Sequence, residues 1–345
     1  MSTTRRLLAL LLMAAATAAR AEEDANASYA LRDDVAGFIH ELVERHAFSA
    51  EELRAVFSRA RREDAVLAAM RAQPRQADSW QAYRALFVNE RHVHAGVEFW
   101  QAHRRFLARA RSAYGVPEEI VVAIIGIETF YGRNTGRWRV IDALATLAFD
   151  YPPRAPFFRG ELENYLLFAR ELELDVFSVK GSYAGAIGIP QFMPGSYLRH
   201  AVDFDGDGAI DLRGNAADAV GSVANFLKNH GWVRGAPVQR DARVTGADHE
   251  AFIADSPLPR HTVEELVRAG VEVRGAPLPA DTRAVLLRLE TPEQPADFRI
   301  GLQNFYVLTR YNRSVFYALS VADLAEQLRA ARGRARAQEG RSSGR

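Results

Sequence analysis

The chain has 345 residues, 48% hydrophobic and 25% charged, a globular composition that excludes an intrinsically disordered protein and leaves room for two or three subdomains. It contains no cysteine, which excludes a disulfide framework and a thiol-linked lipid anchor. The formal charge is +1, but residues 1–21 hold three arginines and residues 330–345 a surplus of four positive charges, so the body between is acidic and argues against nucleic-acid binding.

Residues 1–21 read as a signal peptide. Arg5 and Arg6 precede an apolar stretch over 7–19, and Ala19-Arg20-Ala21 has the small-x-small form of a signal-peptidase site. The apolar stretch is shorter than the roughly 20 residues that span a bilayer, so cleavage after Ala21 and a soluble product with no membrane anchor are expected. From about Ala30 to Tyr114 the apolar residues recur at helical spacing, as in Phe38, Ile39, Leu42 and Val43, and residues 22–115 form an α-rich domain. His92 and His94 lack a third ligand nearby and read as ordinary helix residues.

The stretch 116–132, VPEEIVVAIIGIETFYG, reads as an almost wholly apolar helix. Pro117 fits its first position, Glu118 and Glu119 suit the positive end of the helix dipole, and Gly132 stands just past the last turn. Glu128 then sits near the negative end, where the dipole and desolvation both disfavour its charge and raise its pKa. It is the best acid candidate in the chain. A turn-rich stretch around Tyr151-Pro152-Pro153 and a helix over 160–174 follow.

Residues 181–197, GSYAGAIGIPQFMPGSY, alternate small residues with a few polar and aromatic ones. Glycine allows close approach of backbone to ligand, Ser182 and Gln191 can bond hydroxyls or amides, and aromatic rings can stack on sugar faces, a combination suited to a carbohydrate groove. Residues 203–211, DFDGDGAID, match the first nine positions of an EF-hand calcium loop, with Asp203, Asp205 and Asp207 at positions 1, 3 and 5 and glycine at 6. The twelfth position is Gly214, so the closing carboxylate comes from elsewhere, and Asp218 is the candidate. Its competing role is as capping-box partner of Asn215. The oxygen-rich donor set suits a structural Ca2+.

Beyond Trp232 the short runs 238–244, 271–273 and 284–289, separated by Pro and Gly, read as strands of a small β-subdomain over 236–297. Residues 298–310 and 321–331 return to helix-like patterning, and 298–331 is expected to complete the α-rich domain. The arginine-rich end, 332–345, reads as a disordered basic tail.

Taken in order, the segments Ile127-Glu128-Thr129-Phe130-Tyr131-Gly132, Ala148-Phe149-Asp150-Tyr151-Pro152, 182–197, 201–211 and 219–226 resemble the lytic murein transglycosylase B family, across essentially the whole chain beyond the signal peptide. The resemblance implies an α+β, mainly α fold: a lysozyme-like catalytic core at 116–235, with the calcium loop at 203–218, flanked by the α-rich domain and the β-subdomain. It implies cleavage of the β-1,4 bond between N-acetylmuramic acid and N-acetylglucosamine in the glycan strands of peptidoglycan, without water, to give a 1,6-anhydromuramic end. Glu128 falls on the family's single acid and base. Ser182 and Gln191 fall on substrate contacts, Tyr311, Asn312 and Tyr317 on the late active-site motif, and Tyr83 on a groove tyrosine. Asp203, Asp205, Asp207, the main chain of Ala209, and Asp218 match the calcium ligands. A soluble periplasmic enzyme follows, with other cell-wall enzymes as further partners.

Glycosidases that use water need two carboxylates. A hydrolytic muramidase with Asp142, Asp150 or Glu161 as the second group, a catalytically silent wall-binding protein, and a calcium sensor are the competing readings.

Overall fold

The computed structural model describes residues 28–72, 79–253 and 256–342; the expected signal peptide lies outside them. In chain order the helices and strands are α1 (Asp33–His46), α2 (Ala50–Arg59), α3 (Asp64–Arg71), α4 (Trp80–Phe87), α5 (Glu90–Ala102), α6 (Arg104–Tyr114), α7 (Glu118–Thr129), β1 (Trp138–Arg139), α8 (Val140–Asp150), α9 (Ala155–Glu171), β2 (Lys180–Gly181), α10 (Pro194–His200), α11 (Ala216–Asn229), β3 (Gln239–Val244), β4 (His261–Thr262), α12 (Val263–Arg268), β5 (Val271–Val273), β6 (Arg283–Leu289), β7 (Asp297–Gly301), α13 (Gln303–Tyr311) and α14 (Val315–Ser342). The fold is mainly helical, as the patterning predicts, with a two-stranded pairing of β1 and β2 and one five-stranded antiparallel sheet among the described residues.

The chain divides into two compact units. The first comprises Met1–Gln73, Gly136–Ile187 and Phe192–Leu198; the second comprises Pro74–Thr135, Gly188–Gln191 and Arg199–Arg345. This division cuts across the boundary expected at 115/116, because α7 packs on α5, α6, α11 and α14 of the second unit.

In the first unit α8 packs along α9, and α3 packs on α8. Phe38, Phe57 and Phe149 pack edge-to-face with centroids 5.8–6.1 Å apart, a geometry that aligns ring edges with ring faces, and Tyr29 lies tilted on Phe149 at 5.7 Å. Tyr29 donates to Asp150 at 2.7 Å, and Arg32 pairs with the same carboxylate at 2.7 Å.

The second unit is organised on α7. Residues 120–126 are buried on every side, as a helix apolar all round requires. Each fully buried Val or Ile there stabilises the fold by about 1.5–3 kcal/mol relative to exposure. The five-stranded sheet has the order β4-β6-β7-β3-β5, and α12 packs on β4, β5 and β6, burying Val263, Leu266, Val271, Ala284, Leu286, Ile300 and Leu302.

Two expectations are corrected. Residues 298–301, expected to be helical, belong to β7, because Phe298, Arg299 and Ile300 pair in register with Ala242, Asp241 and Arg240 of β3; the helix begins only at Gln303. The tail expected to be disordered is continuous with α14 as far as Ser342. A helix already nucleated by packing gains one hydrogen bond per added residue, and no proline interrupts 332–342.

Candidate active site

Glu128 is the penultimate residue of α7. The helix ends at Phe130 rather than at Gly132: Phe130, Tyr131 and Gly132 are all left-handed, with φ of 49°, 63° and 83°. Two consecutive non-glycine residues in this region store about 1–3 kcal/mol each, so their surroundings must hold them. Thr129 does so on one side, its hydroxyl donating to the Ile189 carbonyl at 2.8 Å and accepting from the Gly132 N–H at 2.9 Å. On the other side the Tyr131 hydroxyl donates to the His92 carbonyl at 2.8 Å. Its ring fits there only because α5 and α7 carry glycine at 96 and 126: a Cβ at Gly126 would come within 2.6 Å of the hydroxyl oxygen.

Three tyrosines converge on Glu128. The Tyr317 hydroxyl, on the first turn of α14, donates to Glu128 Oε1 at 2.6 Å. Tyr311, at the end of α13, stacks on Tyr317 with centroids 6.4 Å apart and planes 12° apart, and donates to the Pro190 carbonyl at 2.6 Å. Tyr83 on α4 packs against Phe87 and Phe316. Burial pushes the Glu128 carboxyl up to about 7, and the hydrogen bond from Tyr317 partly offsets that rise. Burial, then the Glu128 charge, push the Tyr83 phenol up to about 12, and the same causes hold Tyr311 and Tyr317 well above the ordinary tyrosine value. The Glu128 charge therefore acts on all three hydroxyls, and they remain hydrogen-bond donors at any ordinary pH.

Gln191 and Asn312 also lie in the second unit. Gln191 adopts a left-handed conformation with φ of 51°, and its amide donates to the Thr135 carbonyl at 3.1 Å and the Gly188 carbonyl at 2.9 Å. Asn312 caps α13 and accepts from the Ser314 N–H at 3.2 Å. Ser182 lies in the first unit, where its hydroxyl accepts from the N–H groups of Ala184 and Ala186 at 3.3 and 3.0 Å and shapes the glycine-rich loop.

The three carboxylates considered as a second catalytic group are tied into the structure of the first unit. Asp142 accepts from the Arg61 N–H at 2.9 Å and from Arg139 at 2.5 Å, Asp150 is held by Tyr29 and Arg32, and Glu161 accepts from the Gly195 N–H at 2.8 Å. Asp142 and Glu161 are buried in these roles.

In the acidic loop, Asp203, Asp205 and Asp218 each present a carboxylate oxygen within 4.8 Å of the others, which suits one cation. Asp218 is fully buried and does not turn back to cap α11; its two oxygens accept from the Phe204 and Asp211 N–H groups at 2.7 and 2.9 Å. Burial, together with the charges of Asp205 and Asp203, pushes its carboxyl up, whereas backbone donors, Gly208 foremost, pull Asp203 down. Charges crowded this way are relieved by a hard cation, and an all-oxygen donor set fits Ca2+. Asp207 stands outside the close trio, with one oxygen accepting from the Ala209 N–H at 2.9 Å. His92 accordingly serves packing, lying edge-on to Phe130 at 4.9 Å, and His94 faces Glu98.

Sequence reasoning missed Thr129 as the residue that fixes the turn after Glu128, although its position beside the acid was a usable signal. It also missed Asp323, whose partners lie on three other elements and leave no local pattern.

Comparison with known proteins places this arrangement in a wider set. The transglycosylase SLT domain profile matches residues 30–326. The chain is 41% identical, over 312 residues, to the membrane-bound lytic murein transglycosylase B of Escherichia coli (strain K12), covering 86% of this chain and 82% of that protein. Its fold is similar to that of the catenated lytic transglycosylase SltB1 of Pseudomonas aeruginosa, with 44% identity, a TM-score of 0.83, and coverage of 88% of this chain and 99% of that one. It is also similar to the Escherichia coli lytic transglycosylase Slt35 in complex with calcium, with 42% identity, a TM-score of 0.79, and coverage of 87% and 94%.

Proposed function

The chain belongs to the lytic murein transglycosylase B family, and from that premise we propose that Glu128 is the single acid and base of its reaction on peptidoglycan. The observation that carries this reading is the carboxyl itself, held near neutrality by burial and bonded by Tyr317, while its second-unit neighbours are phenols. A carboxyl pushed up to about 7 still has a proton to give near neutral pH, the condition general acid catalysis favours.

The steps follow from one proton. Neutral Glu128 gives its proton to the oxygen bridging N-acetylmuramic acid and N-acetylglucosamine as the bond from that oxygen to muramyl C1 breaks. The positive charge developing at C1 is met by the 2-acetamido group and the groove. The carboxylate left behind takes the proton of the muramyl C6 hydroxyl, whose oxygen bonds to C1 and closes the 1,6-anhydro ring. Glu128 is then protonated again. No water is consumed, so no second carboxylate is needed, in contrast to hydrolytic glycosidases. The donor from Tyr317 steadies the carboxylate between its two roles.

Gln191, Asn312, Tyr83 and Tyr311 are assigned to substrate contact, with Ser182 carried over from the resemblance as a further contact. Asp203, Asp205 and Asp218, with Asp207 and the main chain of Ala209, are assigned to a structural Ca2+, supported by the close carboxylate trio and by calcium in the related Slt35. Among the described residues no helix is long and apolar enough to cross a membrane. The leader-like segment over residues 1–21 is what supports action in the periplasm.

The test is Glu128→Gln assayed on isolated sacculi. Release of muropeptides should stop while sedimentation with the sacculi persists; release at the parental rate would remove Glu128 from the reaction.

A further inference from the structure

Asp323 is buried in the third turn of α14, 6% exposed, in a position the proposed reaction does not use. Its Oδ2 accepts from Arg84 Nε at 2.6 Å, and its Oδ1 accepts from Arg299 at 2.7 Å and from the Gln239 amide at 3.2 Å. One carboxylate thus joins four elements, α14, α4, β7 and β3.

Two of these elements carry tyrosines that meet Glu128. Tyr83 precedes Arg84 on α4, and Tyr317 lies six residues before Asp323 on α14, about 9 Å along the axis at 1.5 Å per residue. A second line of contact runs between the same places through rings. The Arg299 guanidinium lies over Trp80 at 5.8 Å, Trp80 packs on Phe316 at 5.5 Å, and Phe316 packs on Tyr83 at 5.7 Å. Trp80 and Asp323 are buried at the two ends of this connection, and Tyr83, Arg299 and Phe316 are half-buried along it.

We propose that Asp323 is a positioning residue for the reaction, fixing α4 and α14 so that the Tyr317 hydroxyl is held on Glu128 and Tyr83 stays packed beside it on Phe316, with the sheet's Arg299 as its brace. The inference rests on the assignment of Glu128 as the acid and base. A carboxylate accepts from guanidinium in fixed directions, and the two oxygens of Asp323 are shared among two arginines and an amide, so these contacts together favour one geometry. It also gives the small sheet a role, since β3 and β7 reach α14, which carries Tyr317, through Gln239 and Arg299.

The groups facing Glu128 are the hydroxyls of Tyr317 on α14, Tyr311 on α13 and Tyr83 on α4. When the hub is loosened, the Tyr317 donor weakens, and the carboxylate it favours becomes harder to form.

The experiment measures kcat and KM against pH on purified peptidoglycan for the parent, Asp323→Asn, Arg84→Gln, Arg84→Lys, Tyr317→Phe and the double variant Asp323→Asn with Tyr317→Phe. For Asp323→Asn, kcat should fall at least fivefold and the alkaline limb of kcat/KM should move upward by about half a unit or more. Arg84→Lys should recover part of what Arg84→Gln loses. In the Tyr317→Phe background, Asp323→Asn should no longer move that limb, because both changes act through one bond. A lowered melting temperature with kcat and the limb unchanged, or equal shifts in both backgrounds, overturns the inference. If Asp323→Asn does not fold, the Arg84 pair decides by the same readings. An active Glu128→Gln would instead overturn the underlying assignment, whereas an inactive Glu128→Gln beside an unmoved limb in Asp323→Asn refutes the hub alone.

Discussion

Replacing Glu128 by glutamine should make the protein more stable at neutral pH while disabling it. The carboxyl stands at about 7 in the folded chain against its ordinary 4.5, because burial penalises the charge. Between those two values the folded state keeps a proton that the unfolded chain has released, so stability falls as pH rises through the window. Below 4.5 both states are protonated and nothing is lost. Above 7 the whole cost of burying the charge stands, and at 1.36 kcal/mol per pKa unit the rise amounts to an upper limit of about 3 kcal/mol. Glutamine carries no such charge, and its altered bond with Tyr317 adds only a pH-independent offset. The difference in Tm between Glu128→Gln and the parent should therefore be flat below pH 4.5, grow up to pH 7 and level off, by about 5 °C for a chain of this size. Paired melting scans from pH 4 to pH 8.5 measure it. A difference constant across that range would refute the claim that Glu128 is held protonated by its surroundings.

Removing the hydroxyl in Tyr317→Phe takes away a bond to a charged acceptor, worth about 1.5–3 kcal/mol, so the alkaline limb of kcat/KM should move upward by about one to two units in a pH-rate series. Added Ca2+ should raise the Tm of the purified protein and a chelator lower it, by about 2.7 kcal/mol in stability at a hundredfold excess over the dissociation constant, and Asp218→Asn should abolish the response in calorimetry. Gly126→Ala should destabilise by roughly 1–3 kcal/mol, read from urea unfolding, because the new methyl displaces the Tyr131 ring. Asp142→Asn should lower Tm, since it weakens the Arg139 pair and the Arg61 contact, yet leave the product spectrum in chromatography unchanged.

What the sequence reveals here depends on how local each feature is. Glu128 stood out because eight consecutive apolar residues, 120–127, precede it, and the acidic loop because its carboxylates recur at fixed spacing. The approach of Asp218 to Asp203 and Asp205 was harder to read, as it comes from the next helix and the loop does not set its distance. The strand at Phe298 was hidden because a short apolar run fits either period, and only its pairing with β3 decides. Tyr317 is 189 residues from Glu128, so no periodic pattern could join them; the family resemblance alone pointed to it. Asp323 matched neither a pattern nor a motif, because its partners lie 24, 84 and 239 residues away. The helical ending beyond Arg332 was misread from composition, which registers charge and glycine but not the packed helix that precedes them.

The most direct test of the account is digestion of sacculi in 18O-labelled water, followed by mass spectrometry of the released muropeptides. Self-attack by the muramyl C6 hydroxyl predicts anhydro ends that carry no label; reducing ends that each gain one 18O would contradict it.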